Sequence, residues 1–125
     1  MKKIMVVDDE PDQILTLKYC LKETGDEFEV IGANNGEECL EKLKNSKDLP
    51  DLLLLDVMMP GMNGFEVYDN LKNDSKFSFL PVIFLTASND EFEKDVSDIL
   101  ADDYIMKPFE TEDLIKRIRK VLDKN

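Results

Sequence analysis

Acidic side chains directly follow two of the most apolar segments of this chain. Asp8 and Asp9 come after the apolar run 4–7, and Asp56 comes after four consecutive leucines. Carboxylates are hard oxygen ligands, which favour Mg²⁺ or Mn²⁺ over zinc or copper. A carboxylate can also act as a nucleophile and become an acyl phosphate. If folding brings these three aspartates together, their mutual repulsion makes a bound cation the natural counterpart.

Two further side chains suited to phosphoryl chemistry follow other apolar runs. Thr86 comes after the run 82–85, and Lys107 comes after the run 104–106. A lysine ammonium can neutralise charge on a transferring phosphoryl group, and a threonine hydroxyl can donate to a phosphate oxygen. With the aspartates, these residues could make a complete site for phosphoryl transfer to a carboxylate.

Each of these residues also has an ordinary structural explanation when it is considered alone. Asp8 and Asp9 could cap the helix that follows them, and Asp56 could belong to the turn at Pro60-Gly61. Thr86 could simply favour a strand, and Lys107 could be a solvated surface lysine. None of these explanations accounts for the joint arrangement, in which every residue comes at the carboxyl end of a predicted strand.

The elements that must position these residues alternate between two hydrophobic patterns. Short apolar runs predict five strands, at 4–7, 28–31, 52–55, 82–85 and 104–106. Amphipathic stretches predict five helices, around 11–21, 37–45, 64–73, 92–100 and 114–122. This strict alternation predicts an α/β fold, with a parallel sheet covered by helices on both faces.

The strand sequences also predict their order in the sheet. Strands 1, 3 and 4 are apolar at every position, as central strands must be, whereas strand 2 alternates and strand 5 is very short, as edge strands often are. The order 2-1-3-4-5 fits, which is the doubly wound, flavodoxin-like arrangement with right-handed crossovers. Ligands bind such sheets outside the carboxyl ends of the strands where the chain reverses direction, here between strands 1 and 3.

Composition indicates one globular domain over residues 1–125, with 42% hydrophobic and 35% charged residues. The net charge of −12 would repel phosphate backbones and anionic lipids, so we expect neither nucleic acid nor membrane as a partner.

The apolar run after Lys2 and Lys3 is too short for a signal peptide or a membrane span, and we expect a cytoplasmic protein. Cys20 and Cys39 match no metal or redox spacing, so we expect reduced thiols that fill the core.

Four motifs stand at the predicted strand ends, and together they are highly specific. They are Val6-Val-Asp-Asp-Glu-Pro11, Leu54-Leu-Asp-Val-Met-Met-Pro-Gly61, Phe84-Leu-Thr-Ala87 and Asp102-Asp-Tyr-Ile-Met-Lys-Pro-Phe109. In this order they closely resemble the receiver domains of two-component response regulators. The resemblance extends from Lys3 to about Asp123, which is essentially the entire chain.

The resemblance implies a phosphorylation switch. Asp56 would accept a phosphoryl group from a phosphohistidine donor, either a histidine kinase or a phosphotransfer protein. Mg²⁺, or in its place Mn²⁺, would be bound by Asp8, Asp9, Asp56 and the backbone carbonyl of Met58. The chain would assist its own phosphotransfer and dephosphorylation without being an enzyme in the usual sense.

The resemblance also implies which residues respond to phosphorylation. Lys107 and Thr86 would contact the phosphoryl group, and Thr86 and Tyr104 would move when it arrives. The fourth helix, the fifth strand and the fifth helix would then form the face that a downstream protein partner recognises. Met58 and Ser88 would flank the path of the attacking water and so tune dephosphorylation. The peptide bond between Lys107 and Pro108 would be cis, against a background of about 5–6% for X–Pro bonds.

Two alternatives remain open from the sequence. A phosphatase that passes through an aspartyl phosphate would use similar chemistry, but such enzymes typically carry an Asp-x-Asp motif after strand 1 and an inserted cap, and this chain has adjacent aspartates and no room for a cap. We expect a stand-alone receiver, because nothing after the fifth helix could form a DNA-binding domain. The chain could equally be the receiver part of a longer protein, since 123–125 would serve as a natural end or as an internal boundary.

Overall fold

The computed structural model describes residues 1–25, 27–87 and 102–124, whose strands form one parallel sheet. The five strands are β1 (Lys2–Val7), β2 (Phe28–Ala33), β3 (Leu52–Asp56), β4 (Val82–Ala87) and β5 (Asp103–Lys107). Their order is β2-β1-β3-β4-β5, and every neighbouring pair is parallel. The predicted flavodoxin-like sheet and its strand order are therefore confirmed.

Four helices lie within the described residues. They are α1 (Pro11–Lys22), α2 (Gly36–Asn45), α3 (Gly64–Lys72) and α4 (Thr111–Asp123). They correspond to the first, second, third and fifth predicted helices, so α4 is the helix predicted around 114–122. The predicted fourth helix, around 92–100, lies outside the described residues.

The sheet separates two hydrophobic layers, because successive side chains of a strand point to opposite faces. In β3, Leu53 and Leu55 pack with α2 and α3, whereas Leu52 and Leu54 pack with α1 and α4. All four leucines are completely buried, as predicted for a central strand. The helices of the second layer, α1 and α4, bury apolar residues at helical spacing, namely Ile14, Leu17, Leu21, Leu114, Ile118 and Val121.

Some local predictions differ from the structure. β2 does not alternate: Phe28 and Ala33 are buried, Glu29 is exposed, and the residues between are half-buried. This follows from its edge position, since an edge strand is only partly covered on each face. In α3, which ends at Lys72 and not at the predicted residue 73, Val67, Tyr68 and Leu71 are buried and Phe65 is half-buried.

The two cysteines are free thiols. Cys39 is fully buried in the layer beneath α2, and this burial raises the pKa of its thiol to about 12. Cys20 is half-buried, and its sulfur accepts a 3.4 Å contact from the hydroxyl of Thr111. The predicted role as a small core residue is thus confirmed for Cys39. Among the described residues, no helix has the length and hydrophobicity needed to cross a membrane.

Candidate functional site

Three aspartates converge at the carboxyl edge of the central strands. β1 and β3 pair in parallel, with Val7 opposite Leu55, so Asp8 and Asp56 follow at adjacent positions. One carboxylate oxygen from each of Asp8, Asp9 and Asp56 lies within 4.8 Å of the other two. Asp8 is 1% exposed and Asp56 is 5% exposed, while Asp9 is more open to solvent. The cluster therefore has a buried floor and an accessible side, and its all-oxygen donor set could hold a hard divalent cation.

Lys107 reaches this cluster from the edge strand β5. It is the last residue of β5, and β4 lies between it and β3. Its Nζ atom is 3.4 Å from Asp8 Oδ2 and 3.4 Å from Asp56 Oδ1. A solvated surface lysine would not bridge two buried carboxylates, so that explanation of Lys107 is wrong. The ammonium is placed where it could also contact a group carried by Asp56.

Asp56 experiences opposing electrostatic influences. Burial raises the pKa of its carboxyl to about 6, while the positive charge of Lys107 opposes the rise and the negative charges of Asp8 and Asp9 add to it. At neutral pH the carboxyl is therefore mostly ionised, yet it is poorly solvated. An ionised carboxylate with little hydration is a suitable nucleophile.

The two oxygens of Asp8 have different partners. Oδ1 accepts a hydrogen bond of 2.9 Å from the backbone N–H of Glu10, whereas Oδ2 points to Lys107. Its own N–H donates to the Ala33 carbonyl at 3.1 Å, which fixes the backbone after β1. Glu10 is the N-cap residue of α1, and its side chain makes no capping bond. Asp8 thus orders the start of α1 with one oxygen and leaves the other for the cluster.

Thr86 and Tyr104 lie on neighbouring strands beside the cluster. β4 continues to Ala87, beyond its predicted end at Leu85, so Thr86 lies within the strand and is fully buried. Asp56 pairs with Leu85, which places Thr86 one position further along the site edge. Tyr104 pairs with Phe84 and therefore shares a sheet face with Thr86. Tyr104 is 37% exposed. Their predicted movement stays a prediction.

The remaining predicted site residues have different outcomes. Met58 lies in the turn after β3, two positions beyond Asp56, and the residue is 56% exposed. Its carbonyl as a metal ligand, and its side chain as a tuning element, stay predictions. Ser88 lies outside the described residues. The peptide bond between Lys107 and Pro108 is cis, as the family resemblance implied.

Two residues that contact a predicted site or switch residue were not found from the sequence. Arg117 of α4 donates through Nη1 to Asp103 Oδ1 at 3.0 Å and to the Tyr104 carbonyl at 3.2 Å, and so ties α4 to β5 beside the predicted switch residue. The only sequence signal was its spacing of four from Asp113, with which it forms an ion pair of 3.1 Å. Gly64 packs against the backbone of Asp56, and a glycine at the start of a helix was its only signal.

Comparisons with known proteins agree on one family. The family model described as "Response regulator receiver domain" matches residues 4–119. The chain is 42% identical over 122 residues to the alkaline phosphatase synthesis transcriptional regulatory protein PhoP of Bacillus subtilis, covering 97% of this chain and 48% of that protein. It is 38% identical over 125 residues to the DNA-binding response regulator MtrA of Mycolicibacterium smegmatis, covering 99% and 52%. The chain thus spans about half the length of the curated relatives it matches.

Solved structures show the same fold. The signal receiver domain of a signal transduction histidine kinase from Syntrophus aciditrophicus superposes with a TM-score of 0.88 at 33% identity, covering 99% of this chain and 92% of that one. The chemotaxis protein CheY4 of Vibrio cholerae superposes with a TM-score of 0.81 at 29% identity, covering 97% and 98%. These similarities extend over the entire sheet and so include every strand end of the candidate site.

Proposed function

The chain belongs to the family of response regulator receiver domains, and on that premise we propose that it is a phosphorylation switch whose acceptor is Asp56. The observation that carries this proposal is the convergence of three aspartates and Lys107 at one edge of the sheet. A buried carboxylate, an acidic cluster open on one side and a bridging ammonium are the groups that phosphoryl transfer to an aspartate requires.

Asp56 provides the nucleophile. One of its carboxylate oxygens attacks the phosphorus of a phosphohistidine on a histidine kinase or phosphotransfer protein. The bond between nitrogen and phosphorus breaks, the imidazole leaves with its electron pair, and an acyl phosphate remains on Asp56. The chain contains no histidine, so the phosphohistidine must lie outside residues 1–125, and a small phosphodonor could replace it.

Asp8, Asp9, Asp56 and the carbonyl of Met58 would bind Mg²⁺, with Mn²⁺ as a substitute. The fit rests on the described cluster, whose three carboxylates lie within 4.8 Å and offer only oxygen ligands. When bound, the ion supplies positive charge to the transferring phosphoryl oxygens. Asp8 is fixed by its bond from Glu10, so the protein presents this ligand in a preset position.

Lys107 would follow the charge as it develops on the phosphoryl group. Its ammonium bridges Asp8 and Asp56 at 3.4 Å to each. Because these contacts are longer than a strong charge-assisted hydrogen bond, neither carboxylate holds the ammonium tightly, and it could move to a new acceptor. Once a phosphoryl group is on Asp56, the added negative charge makes a phosphoryl oxygen the stronger partner. This single side chain therefore links acceptance of the group to β5.

Thr86 and Tyr104 would transmit the change to the surface. The Thr86 hydroxyl would turn to a phosphoryl oxygen, and Tyr104, on the same sheet face, would rotate inward. The altered face would include the predicted fourth helix, β5 and α4, and a downstream protein target would recognise it. This function is a switch and not multiple-turnover catalysis, and we place it in the cytoplasm with no nucleic-acid or membrane contact of the receiver itself.

The test is to incubate the protein with acetyl phosphate in Mg²⁺ or in EDTA and to follow intact mass and phosphate release. We expect one phosphoryl group per chain, and only with the metal. In a parallel incubation with a phosphate ester in place of acetyl phosphate, a phosphatase would release phosphate over many turnovers without a stoichiometric adduct. That outcome, or equal labelling in EDTA, would contradict the proposed switch.

A further inference from the structure

The loop that carries Met58 is closed at its base by two backbone hydrogen bonds. The Val57 N–H donates to the Leu85 carbonyl at 3.0 Å, which holds the end of β3 against β4. The Gly64 N–H donates to the Val57 carbonyl, also at 3.0 Å, which brings the start of α3 back to the same point. Residues 58–63 therefore form a loop whose two ends are in contact.

The start of α3 is itself fixed in position. Asn63 Oδ1 accepts from the Glu66 N–H at 3.0 Å, and Glu66 Oε1 accepts from the Asn63 N–H at 3.4 Å. This reciprocal capping box sets the residue at which the helix begins. The helix cannot slide along its axis to relieve crowding without losing these bonds.

Gly64 makes this closure possible because it has no side chain. A Cβ atom at position 64 would lie 2.9 Å from Val57 Cα and closer still to the Asp56 carbonyl oxygen. Both are backbone atoms, at the last residue of β3 and the residue after it, and backbone atoms cannot rotate away as a side chain can. Gly32, on the edge strand β2, differs in this respect. A Cβ atom added there would lie 2.8 Å from Ile14 Cγ2, which is a side-chain atom of α1.

We propose that Gly64 is a positioning residue for the metal and phosphoryl site, because only glycine lets α3 close the loop against the backbone of Asp56. The closed loop fixes where the Met58 carbonyl stands relative to the Asp56 carboxylate. This inference rests on the proposed function, in which both groups bind the same ion. It assigns to Gly64 a role in metal affinity in addition to its role in packing.

The test compares Gly64→Ala with the parent protein by calorimetric titration of Mg²⁺ and by the rate of phosphorylation from acetyl phosphate. We expect Gly64→Ala to bind Mg²⁺ about tenfold or more weakly, as is typical when groups supporting metal ligands are disturbed. At saturating Mg²⁺ the phosphorylation rate should largely recover, because the Asp56 nucleophile and Lys107 remain. A purely structural role would lower stability without this split between affinity and maximal rate.

The matched control is Gly32→Ala, which adds the same methyl group at a crowded position where it would meet only the Ile14 side chain and no backbone atom of Asp56 or Val57. It should lose stability but keep the Mg²⁺ affinity of the parent. If Gly64→Ala does not fold, Asn63→Ala decides the question: it releases the helix start without adding an atom, and we expect a several-fold weaker Mg²⁺ affinity. Parent-like affinity in the variant that folds would overturn the role of Gly64. Failure of the parent to bind Mg²⁺ or accept phosphate would instead overturn the proposed function.

Discussion

At the scale of the residue, Asp56 combines burial with a nearby positive charge. Burial alone would favour the protonated acid, which is a poor nucleophile, and Lys107 at 3.4 Å restores ionisation near neutral pH. Because both residues follow predicted strands, the sequence predicted that they lie at the same edge of the sheet. The sequence could not predict the pKa of Asp56, because the pKa depends on how deeply the strand ends are buried.

We predict that Asp56→Asn stabilises the metal-free protein at pH 7.5. The folded-state pKa of about 6 lies above the usual value of an aspartate, so the folded protein binds more protons than the unfolded chain between these two values. Stability therefore falls as pH rises through this window, and the ionised carboxylate costs about 2 to 3 kcal/mol above it. The neutral amide removes that cost but also loses the Lys107 contact, so we expect a net gain of roughly 1 to 2 kcal/mol.

Urea unfolding in EDTA at pH 7.5 and pH 5 would measure this effect. The difference in unfolding free energy between Asp56→Asn and the parent should shrink at pH 5, where the Asp56 carboxyl of the folded parent is mostly protonated. Asp51→Asn is the control, because Asp51 is at the opposite end of β3 and accepts a bond from the Lys3 N–H. A loss of stability for Asp56→Asn at pH 7.5 would show that the carboxylate stabilises the metal-free fold.

We also predict that Met58 makes the phosphorylated form long-lived. Its exposed thioether is a weak hydrogen-bond acceptor, which shields the acyl phosphate more than it orients an attacking water. Met58→Asn, alone or with Ser88→Glu, should therefore speed loss of the phosphoryl group, and a barrier lower by about 1.4 kcal/mol would give a tenfold change. Met58→Leu should decay like the parent. Equal decay of the Asn and Leu variants would mean that other residues control water access.

At the scale of the element, the site is made by strand ends and by the connections that follow them. Five alternating apolar runs were enough to predict the sheet, its order and the edge where the site residues gather. The end of β4 was placed too early because Thr86 is polar, although strand pairing with β5 continues to Ala87. The contact of Gly64 with Asp56 could not be predicted, since it arises from how α3 docks and leaves no periodic signal.

The element-scale prediction concerns the coupling between β4 and β5. Thr86→Ala should still accept a phosphoryl group, because neither the nucleophile nor the metal ligands change. It should lose much of the phosphorylation-dependent shift of Tyr104 resonances in NMR spectra, because no hydroxyl remains to follow the phosphoryl oxygen. Thr86→Ser, which keeps the hydroxyl, should retain the shift. A parent-like response in the Ala variant would make Thr86 a strand residue only.

At the scale of the whole molecule, the excess of acidic residues sets the response to cations. The net charge of −12 means that any salt will screen repulsion and stabilise the fold to some degree. The proposed Mg²⁺ site would add a specific effect, since a ligand at one hundred times its dissociation constant stabilises the folded state by about 2.7 kcal/mol. Composition alone predicted the general effect, whereas the specific one depends on the three carboxylates meeting in the fold.

We therefore predict that Mg²⁺ raises the melting temperature more than NaCl does at equal ionic strength. Asp9→Asn should lose the specific increment, because it removes a ligand at the accessible side of the cluster. Asp12→Asn should keep it, since this exposed carboxylate lies in the first turn of α1. Equal responses of the parent and Asp9→Asn in differential scanning calorimetry would argue against a site at this cluster.

The most direct test of the central claim is the intact mass of Asp56→Asn beside the parent after incubation with acetyl phosphate and Mg²⁺. The parent and Asp51→Asn should each gain the mass of one phosphoryl group. Asp56→Asn should gain none, because an amide does not replace the carboxylate nucleophile. An undiminished adduct on Asp56→Asn would contradict the assignment of Asp56 as the phosphoacceptor.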